Sequence, residues 1–322
     1  MISGLRLPRA LQVAARLDLG RRLEERPRSG SELAAELGLD PALFQRFMCF
    51  LAENGIFAEG EDGVFEGTEL SRHLHLVDSL ILGDEGWATW TALPEALRTG
   101  KPVFESVHGL PFFEYAARHP DRNANWKEWN TITAGPWLRS AVGALDLQGS
   151  ETVVDVGGGQ GNFLAEVLGA HLGCKGVLYD LPEVVDTAGE YLASKGVEDL
   201  CTIVAGSAFD SVPGGGDVYL ISRVLFNWDD ERAALMLRNT AAAMGEEARL
   251  FVIEILMPER GDRQRAWMLG NDLFLFLQFG SRLRSRDEME ALLDDSGIAM
   301  LGVSRAGSPD GIAWDVIEGR KR

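Results

Sequence analysis

The chain has 322 residues and a formal charge of −18, which argues against nucleic acid and anionic membrane surfaces as partners. Its length suits one large domain plus a smaller one, and its apolar content of 46% fills a core without staples. Cys49, Cys174 and Cys201, widely spaced in apolar surroundings, read as reduced thiols and so as a cytoplasmic protein; no apolar leader or membrane-length apolar run is present, so neither secretion nor a membrane span is expected.

Leu11 to Leu23 carries its apolar residues along one side and predicts a helix. Ser29-Gly30-Ser31 caps a second, Glu32 to Leu37, stopped by Gly38. Asp40-Pro41 opens a third, Ala42 to Glu53, ended by Asn54-Gly55. Ile56-Phe57-Ala58 and Val64-Phe65 flank Asp62-Gly63 and give a hairpin. Helix, helix, helix, hairpin is the order of a winged helix, which raises DNA binding as one reading. The segment in the recognition position, Pro41 to Leu51, offers one cation, Arg46, among large apolar groups. That face suits burial against protein, so dimerisation is the expected role.

Two further apolar segments between His73 and Arg98 end at Thr99-Gly100-Lys101-Pro102. This turn is read as the boundary between a winged-helix dimerisation domain, residues 1–100, and a second domain, 101–322. Beyond it, Gly109 to Tyr115, with Phe112, leads into a helix carrying Trp126, Trp129 and Trp137 beside Asn130. These residues suit either an aromatic small-molecule pocket or the packing of large rings between domains or chains.

Thr152 to Val156 is a β-branched run that stops at Gly157-Gly158-Gly159-Gln160-Gly161, and helical spacing resumes at Asn162. A glycine turn lets the backbone come close to a ligand, and the helix start offers unpaired N–H groups; the plainer alternative is a tight turn alone. The next strand, Gly176 to Tyr179, ends at Asp180, where a nucleotide-binding βαβ unit places the acid for ribose hydroxyls. Gly157, Gly159 and Gly161 spell G-x-G-x-G, with Asn162 where a dinucleotide fingerprint has its last glycine, and no Gly-Lys-Ser/Thr follows for a triphosphate loop. Asp155 is awkward beside a pyrophosphate but suits a ligand with an amino group. The combination points to S-adenosyl-L-methionine (SAM), its amino acid end over the glycines and its ribose on Asp180.

Strands at Thr202 to Ala205, Asp217 to Ser222, Ala248 to Leu256, Met300 to Arg305 and Ala313 to Ile317 alternate with helices through Ala193, from Asp229 to Met244 and from Ser285 to Ser296. This alternation predicts an α/β domain, a Rossmann-like doubly wound and mostly parallel sheet with ligands at the carboxyl ends of its strands. The last two strands read as a hairpin that makes the sheet edge antiparallel. No His/Cys grouping has metal-ligand spacing, so no metal is expected.

The order of these segments resembles the plant-type SAM-dependent small-molecule O-methyltransferases, including bacterial members that tailor aromatic natural products. The resemblance rests on Val154-Asp155-Val156-Gly157-Gly158-Gly159-Gln160-Gly161, Tyr179-Asp180-Leu181-Pro182, Val224-Leu225-Phe226-Asn227-Trp228-Asp229-Asp230-Glu231 and Glu254-Ile255-Leu256-Met257-Pro258, with the N-terminal winged helix. It implies a homodimer built through the N-terminal domain, a small-molecule acceptor, and a class I methyltransferase domain. It also implies that Asp155, Gly157, Gly159, Gly161, Asp180, Leu181, Ser207, Ala208, Phe209 and Ser222 surround SAM, and that Asn271, Asp272 and Phe274 face the acceptor pocket along with Phe112, Trp126, Trp129 and Asn130.

Departures from the family pattern fall on the catalytic side. Where members usually read Leu-His-Asp-Trp, this chain reads Leu225-Phe226-Asn227-Trp228, so Phe226 replaces the histidine general base. Glu254 matches one of the two acids flanking that histidine, whereas the second falls on Leu283 within Gly280-Ser281-Arg282-Leu283-Arg284-Ser285. All five histidines, the last being His171, precede this region. On the cofactor side an aspartate is replaced by Ser207 and a lysine by Ser222. Three readings remain: methyl transfer by positioning to an acceptor already nucleophilic at neutral pH; a SAM-dependent tailoring reaction without methylation; or SAM binding without catalysis. Glu254 is expected to orient the acceptor or to be a strand-end carboxylate satisfied by backbone N–H groups. Asn227 is expected to bond an acceptor oxygen or to cap the Asp229 helix. Arg282 and Arg284 read as solvated cations, with pairing to an anionic substrate as the alternative.

Overall fold

The computed structural model describes residues 2–307 and 314–322, and of residues 2, 3 and 133–137 it describes the backbone only; Ala313 and the Trp137 side chain lie outside the described residues. The chain divides into two compact units, Met1–Glu95 with Val103–Ile132 and Ala96–Pro102 with Thr133–Arg322. Packing thus carries residues 103–132 with the first unit, although the Thr99 to Pro102 turn suggests a break at residue 100.

In the first unit the helices Arg6–Arg16, Leu19–Glu25, Gly30–Leu37 and Pro41–Glu53 accompany a three-stranded antiparallel sheet of β1 (Arg28–Ser29), β2 (Phe57–Glu59) and β3 (Val64–Gly67), in the order β1-β3-β2. The single helix expected over Leu11 to Leu23 is two, because Asp18 takes a left-handed φ of 54° and turns the chain. The other boundaries follow their caps: the Ser29 hydroxyl accepts from the Glu32 N–H, the Asp40 carboxylate from the Leu43 N–H, and Gly38 ends its helix at positive φ. Leu33, Phe44, Met48, Leu51, Phe57 and Phe65 form one core, while Leu43 and Phe50 of the Pro41–Glu53 helix stay exposed.

The second unit is a seven-stranded sheet of β4 (Thr152–Val156), β5 (Lys175–Asp180), β6 (Cys201–Ala205), β7 (Val218–Ser222), β8 (Arg249–Glu254), β9 (Ile298–Ala306) and β10 (Trp314–Lys321), ordered β6-β5-β4-β7-β8-β10-β9. The pairings from β6 through β8 are parallel. β10 runs antiparallel to both β8 and β9, so the antiparallel strand is inserted one place from the edge, and the edge itself is β9. β4 and β7 are buried on both faces, as central parallel strands require, and are mostly apolar, with Asp155 the exception inside β4. Phe163, Leu164, Leu168, Leu275 and Leu283 pack in one cluster, and Met236, Leu237, Met289 and Leu293 in another. The strand order reverses at β4, flanked by β5 on one side and β7 on the other, which places the ligand crevice of such a sheet beyond the carboxyl ends of β4 and β7. Among the described residues no helix is long and apolar enough to cross a membrane.

Candidate functional site

Two turns meet this crevice. The first follows β4. Gly157, Gly159 and Gly161 take φ of 71°, 63° and 88°, values that other residues seldom adopt. Gly158 is required for a different reason: a Cβ there would lie 2.5 Å from both Asp155 Oδ2 and Leu178 Cδ1. The Gly157 N–H donates to the Tyr179 carbonyl at 2.8 Å, and the Gly159 N–H donates to Asp180 Oδ2 at 2.8 Å, so the turn is laced to the end of β5. Asp180 Oδ1 accepts the Leu181 N–H at 2.7 Å.

Below this turn Asp155 is 1% exposed, and among the described residues neither carboxylate oxygen makes a hydrogen bond of ordinary geometry. Burial, with the neighbouring Asp180 charge, pushes its carboxyl up to about 7, against a small opposing effect of the Leu164 N–H. Beyond β6, Gly206 lies so close to Tyr179 that a Cβ would come within 2.5 Å of its hydroxyl. The loop is held by the Phe209 N–H donating to Ser207 Oγ at 3.2 Å and by Asn239 Nδ2 donating to the Ala208 carbonyl at 2.9 Å. Phe209 packs edge-on against Trp228 at 4.8 Å, and the Arg232 guanidinium lies over both rings.

The second turn follows β7 and carries Phe226. Ser222 ends β7, and Arg223 takes a left-handed φ of 61°, its N–H donating to the Ile253 carbonyl at 2.9 Å. Glu254, at the end of β8, is buried and accepts the Leu225 N–H at 2.8 Å and the Phe226 N–H at 3.4 Å through the same oxygen. Burial pushes this carboxyl up to about 7, despite the Arg284 charge and the backbone N–H groups that draw it down. Of the two expectations for Glu254, its observed partners match the second, a strand-end carboxylate satisfied by the backbone.

Two expectations for this turn are corrected. Asn227 is not the helix cap: Asp229 caps the Asp230–Ala243 helix by accepting the Arg232 N–H at 2.8 Å, and Asn227 Nδ2 donates instead to the Arg223 carbonyl at 3.3 Å. Arg284 is not solvated: it is 3% exposed, donates to the Leu225 and Trp228 carbonyls at 3.0 and 2.9 Å, and pairs with Asp230 at 2.8 Å. Asp272 accepts the Leu283 N–H at 2.7 Å, which engages its carboxylate within the fold. Arg282 does lie at the surface, pairing with Glu288 and Asp230.

The structure brings Phe226, Phe274 and Leu283 to one apolar cluster of the second unit, and Asn271 lies on the same helix as Phe274, Arg265–Phe279. The other expected pocket residues belong to the first unit. Phe112 is buried there, edge-on to Phe104 at 5.1 Å and Trp126 at 5.2 Å; Asn130 Nδ2 donates to the Trp126 carbonyl, and Trp129 is half-exposed. Sequence reading takes Arg284 for a surface cation, since its role depends on carbonyls almost sixty positions away, and gives no role to Gln278 and Ser281, which are buried polar groups. Among the described residues no group of histidine, cysteine and acidic side chains is arranged to hold a metal.

Residues 90–299 match the O-methyltransferase domain family and residues 1–76 match the O-methyltransferase dimerisation domain. The phenazine O-methyltransferase PhzM of Lysobacter antibioticus is 32% identical over 309 residues, covering 93% of this chain and 89% of that protein. The mitomycin biosynthesis 6-O-methyltransferase of Streptomyces lavendulae is 35% identical over 311 residues, covering 92% and 87%. The crystal structure of NcsB1, an O-methyltransferase from neocarzinostatin biosynthesis, in complex with SAM and 2-hydroxy-5-methyl naphthoic acid, aligns with a TM-score of 0.78 at 26% identity over 98% of this chain and 96% of that one.

Proposed function

Because this chain belongs to the O-methyltransferase family and carries that family's dimerisation domain, we propose that it methylates a small natural-product acceptor that is already nucleophilic at neutral pH, without a histidine base. The chain is a SAM-dependent methyltransferase of class I fold. Its relatives named for phenazine and mitomycin substrates support a ring-bearing acceptor, and the dimerisation domain supports a homodimer.

The residues of the first turn fit the cofactor. Asp155 is a buried carboxylate whose oxygens make no hydrogen bond of ordinary geometry among the described residues, which suits the cationic amino group of SAM; a Cβ at Gly158 would lie 2.5 Å from Asp155 Oδ2; and Asp180 ends β5, where a nucleotide-binding βαβ unit holds ribose hydroxyls. Leu181, Ser207, Ala208, Phe209 and Ser222 complete the assignment. When bound, SAM supplies a methyl group on a positively charged sulfur.

The observation that carries the finer reading is Phe226, on a turn whose backbone is fixed by Glu254 and Arg284 and which has no proton-accepting side chain at that position. Losing a general base costs roughly 10²–10⁴ in rate when proton removal is required, so the acceptor here is one that needs none: an acidic phenol or enol, a carboxylate, a ring nitrogen or a thioether. The work left to the protein is to hold that acceptor in line with the methyl group and to keep water out. Leu283, buried where the second acid is usual, keeps that side of the turn apolar.

The test restores the missing pair. In the double variant Phe226→His with Leu283→Glu, methylation of a neutral phenol is expected to rise at least tenfold over wild type, consistent with the roughly 10²–10⁴ value of a base; no rise at all sinks the reading. Calorimetric titration with SAM and with S-adenosylhomocysteine checks the class of reaction. Product binding at least as tight as SAM supports turnover of the methyl group, whereas clearly tighter SAM binding favours a non-methylating use of the sulfonium.

A further inference from the structure

The helix Asp230–Ala243 carries a cation where its dipole disfavours one. Asp229 caps it, and Asp230 and Glu231 suit its positive end, but the third helical residue is Arg232, at the position where a glutamate would close a capping box. Ion pairing does not account for the choice, because the neighbouring Asp230 pairs with Arg282 and Arg284 instead. What the Arg232 side chain meets is aromatic. Its guanidinium carbon lies 5.2 Å from the centre of the Phe209 ring and 5.1 Å from that of Trp228, and the two rings meet edge-on at 4.8 Å. One cation thus serves two rings at once while the residue stays exposed to water.

The two rings belong to different segments. Phe209 lies in the loop after β6, and Trp228 closes the turn after β7, two residues beyond Phe226. Seven residues along the same helix, and so on the same face as Arg232, Asn239 Nδ2 makes a second tie to that loop through the Ala208 carbonyl at 2.9 Å. The turn after β7 in its turn abuts the glycine turn, since a Cβ on Gly157 would lie 2.9 Å from Val224 Cγ2. The segments that leave the carboxyl ends of β4, β6 and β7 are therefore packed into one frame, and Arg232 covers the joint between the second and the third.

We propose that Arg232 is a positioning residue of the cofactor site: by bridging Phe209 and Trp228 it locks the loop after β6 onto the turn after β7 and so sets the wall against which the adenosine half of the cofactor lies. The assignment rests on the methyltransferase reading above and gives the two halves of the cofactor to different devices. Asp155 holds the amino acid half by charge, whereas the Arg232 bridge holds the adenosine half by shape. A side chain outside the pocket then governs affinity within it. The effect depends on the positive charge, because an uncharged stem of the same length keeps the packing and loses the attraction to the rings.

The experiment is calorimetric titration of the full-length protein with S-adenosylhomocysteine and, in competition with it, with 5′-methylthioadenosine, which keeps the adenosine half and lacks the amino acid. Arg232→Met is expected to bind both ligands about three- to tenfold more weakly, the worth of a cation over exposed rings, and Arg232→Lys to recover a good part of that loss. Asp155→Asn provides the contrast, losing affinity for S-adenosylhomocysteine and keeping it for 5′-methylthioadenosine. Trp228→Leu is expected to cost less in the Arg232→Met background than in wild type, because the bridge is already broken. The assignment is overturned if Arg232→Met weakens S-adenosylhomocysteine alone, if lysine restores nothing, or if the two substitutions simply add. A melting temperature several degrees lower in Arg232→Met, with no recovery by lysine, also overturns it, since the residue then serves the fold. Failure of wild type to bind S-adenosylhomocysteine sinks the methyltransferase reading and this one together; binding that Arg232→Met leaves unchanged sinks this one alone.

Discussion

Asp155 and Glu254 are two carboxylates at the same end of one sheet, both buried and both pushed up to about 7. Glu254 is engaged by its own chain: two backbone N–H groups point at it, and the buried Arg284 fixes the same turn from its carbonyl side. Asp155 has less support: among the described residues its oxygens make no hydrogen bond of ordinary geometry, and the one N–H that draws its pKa down is that of Leu164. A buried acid satisfied by the backbone shapes the protein, while one left unsatisfied is suited to a ligand. On the proposed reading the first turn is built around what it binds, the second around its own rigidity.

The contrast breaks most visibly at Arg284. Arg284→Met strips the Leu225 and Trp228 carbonyls of their guanidinium donor and leaves the half-exposed Asp230 with Arg282 alone, so a loss of about 1–3 kcal/mol in urea unfolding is expected, the cost of leaving buried acceptors unsatisfied. A loss under about 1 kcal/mol would mean the turn stands without it. Asp155→Asn has the opposite signature: folding stability holds or improves, while SAM affinity by calorimetry falls roughly ten- to hundredfold, the worth of a charged hydrogen bond. If stability falls instead and affinity holds, Asp155 belongs with Glu254 as a structural acid.

The smallest effect concerns pH. A carboxyl whose pKa is raised on folding keeps its proton where the unfolded chain, with a pKa of about 4, has lost it. Its contribution to stability is complete below about pH 4 and drains away as the pH rises toward 7, the folded value of both acids. Asp155→Asn and Glu254→Gln should therefore each gain on wild type in melting temperature between pH 5 and pH 7.5. His108, whose pKa burial lowers, tilts stability the other way over part of that range, and Asp84 and Glu151, both drawn down to about 2, act only in stronger acid. All three are common to wild type and variants, so the difference isolates the two acids. A constant difference across the range would show that neither carboxyl titrates there.

Much of the fold is legible in the sequence because local signals and global packing agree. The β-branched run at β4, the glycines after it and Asp180 at the end of β5 each carry their meaning within thirty residues. What escapes reading is set by distance. The break at Asp18 is a left-handed backbone in the middle of an unbroken apolar period. The insertion of β10 between β8 and β9 depends on pairing Val316 with both Ile253 and Ser304, which no alternation of strands and helices specifies. Arg284 reads as a surface cation in a run of arginines and serines, and only the fold brings the Leu225 carbonyl to it. Gln278 and Ser281 are invisible for the converse reason, since what marks them is the lack of a hydrogen-bond partner among the described residues.

The turn after β7 takes its backbone shape from Glu254 on one side and Arg284 on the other, while the side chain at position 226 packs against the apolar cluster. On the proposed reading that position works as a socket: residues of different chemistry can take it on the same backbone, and with a matching change at position 283 proton-transfer chemistry can be gained or lost there without a new loop.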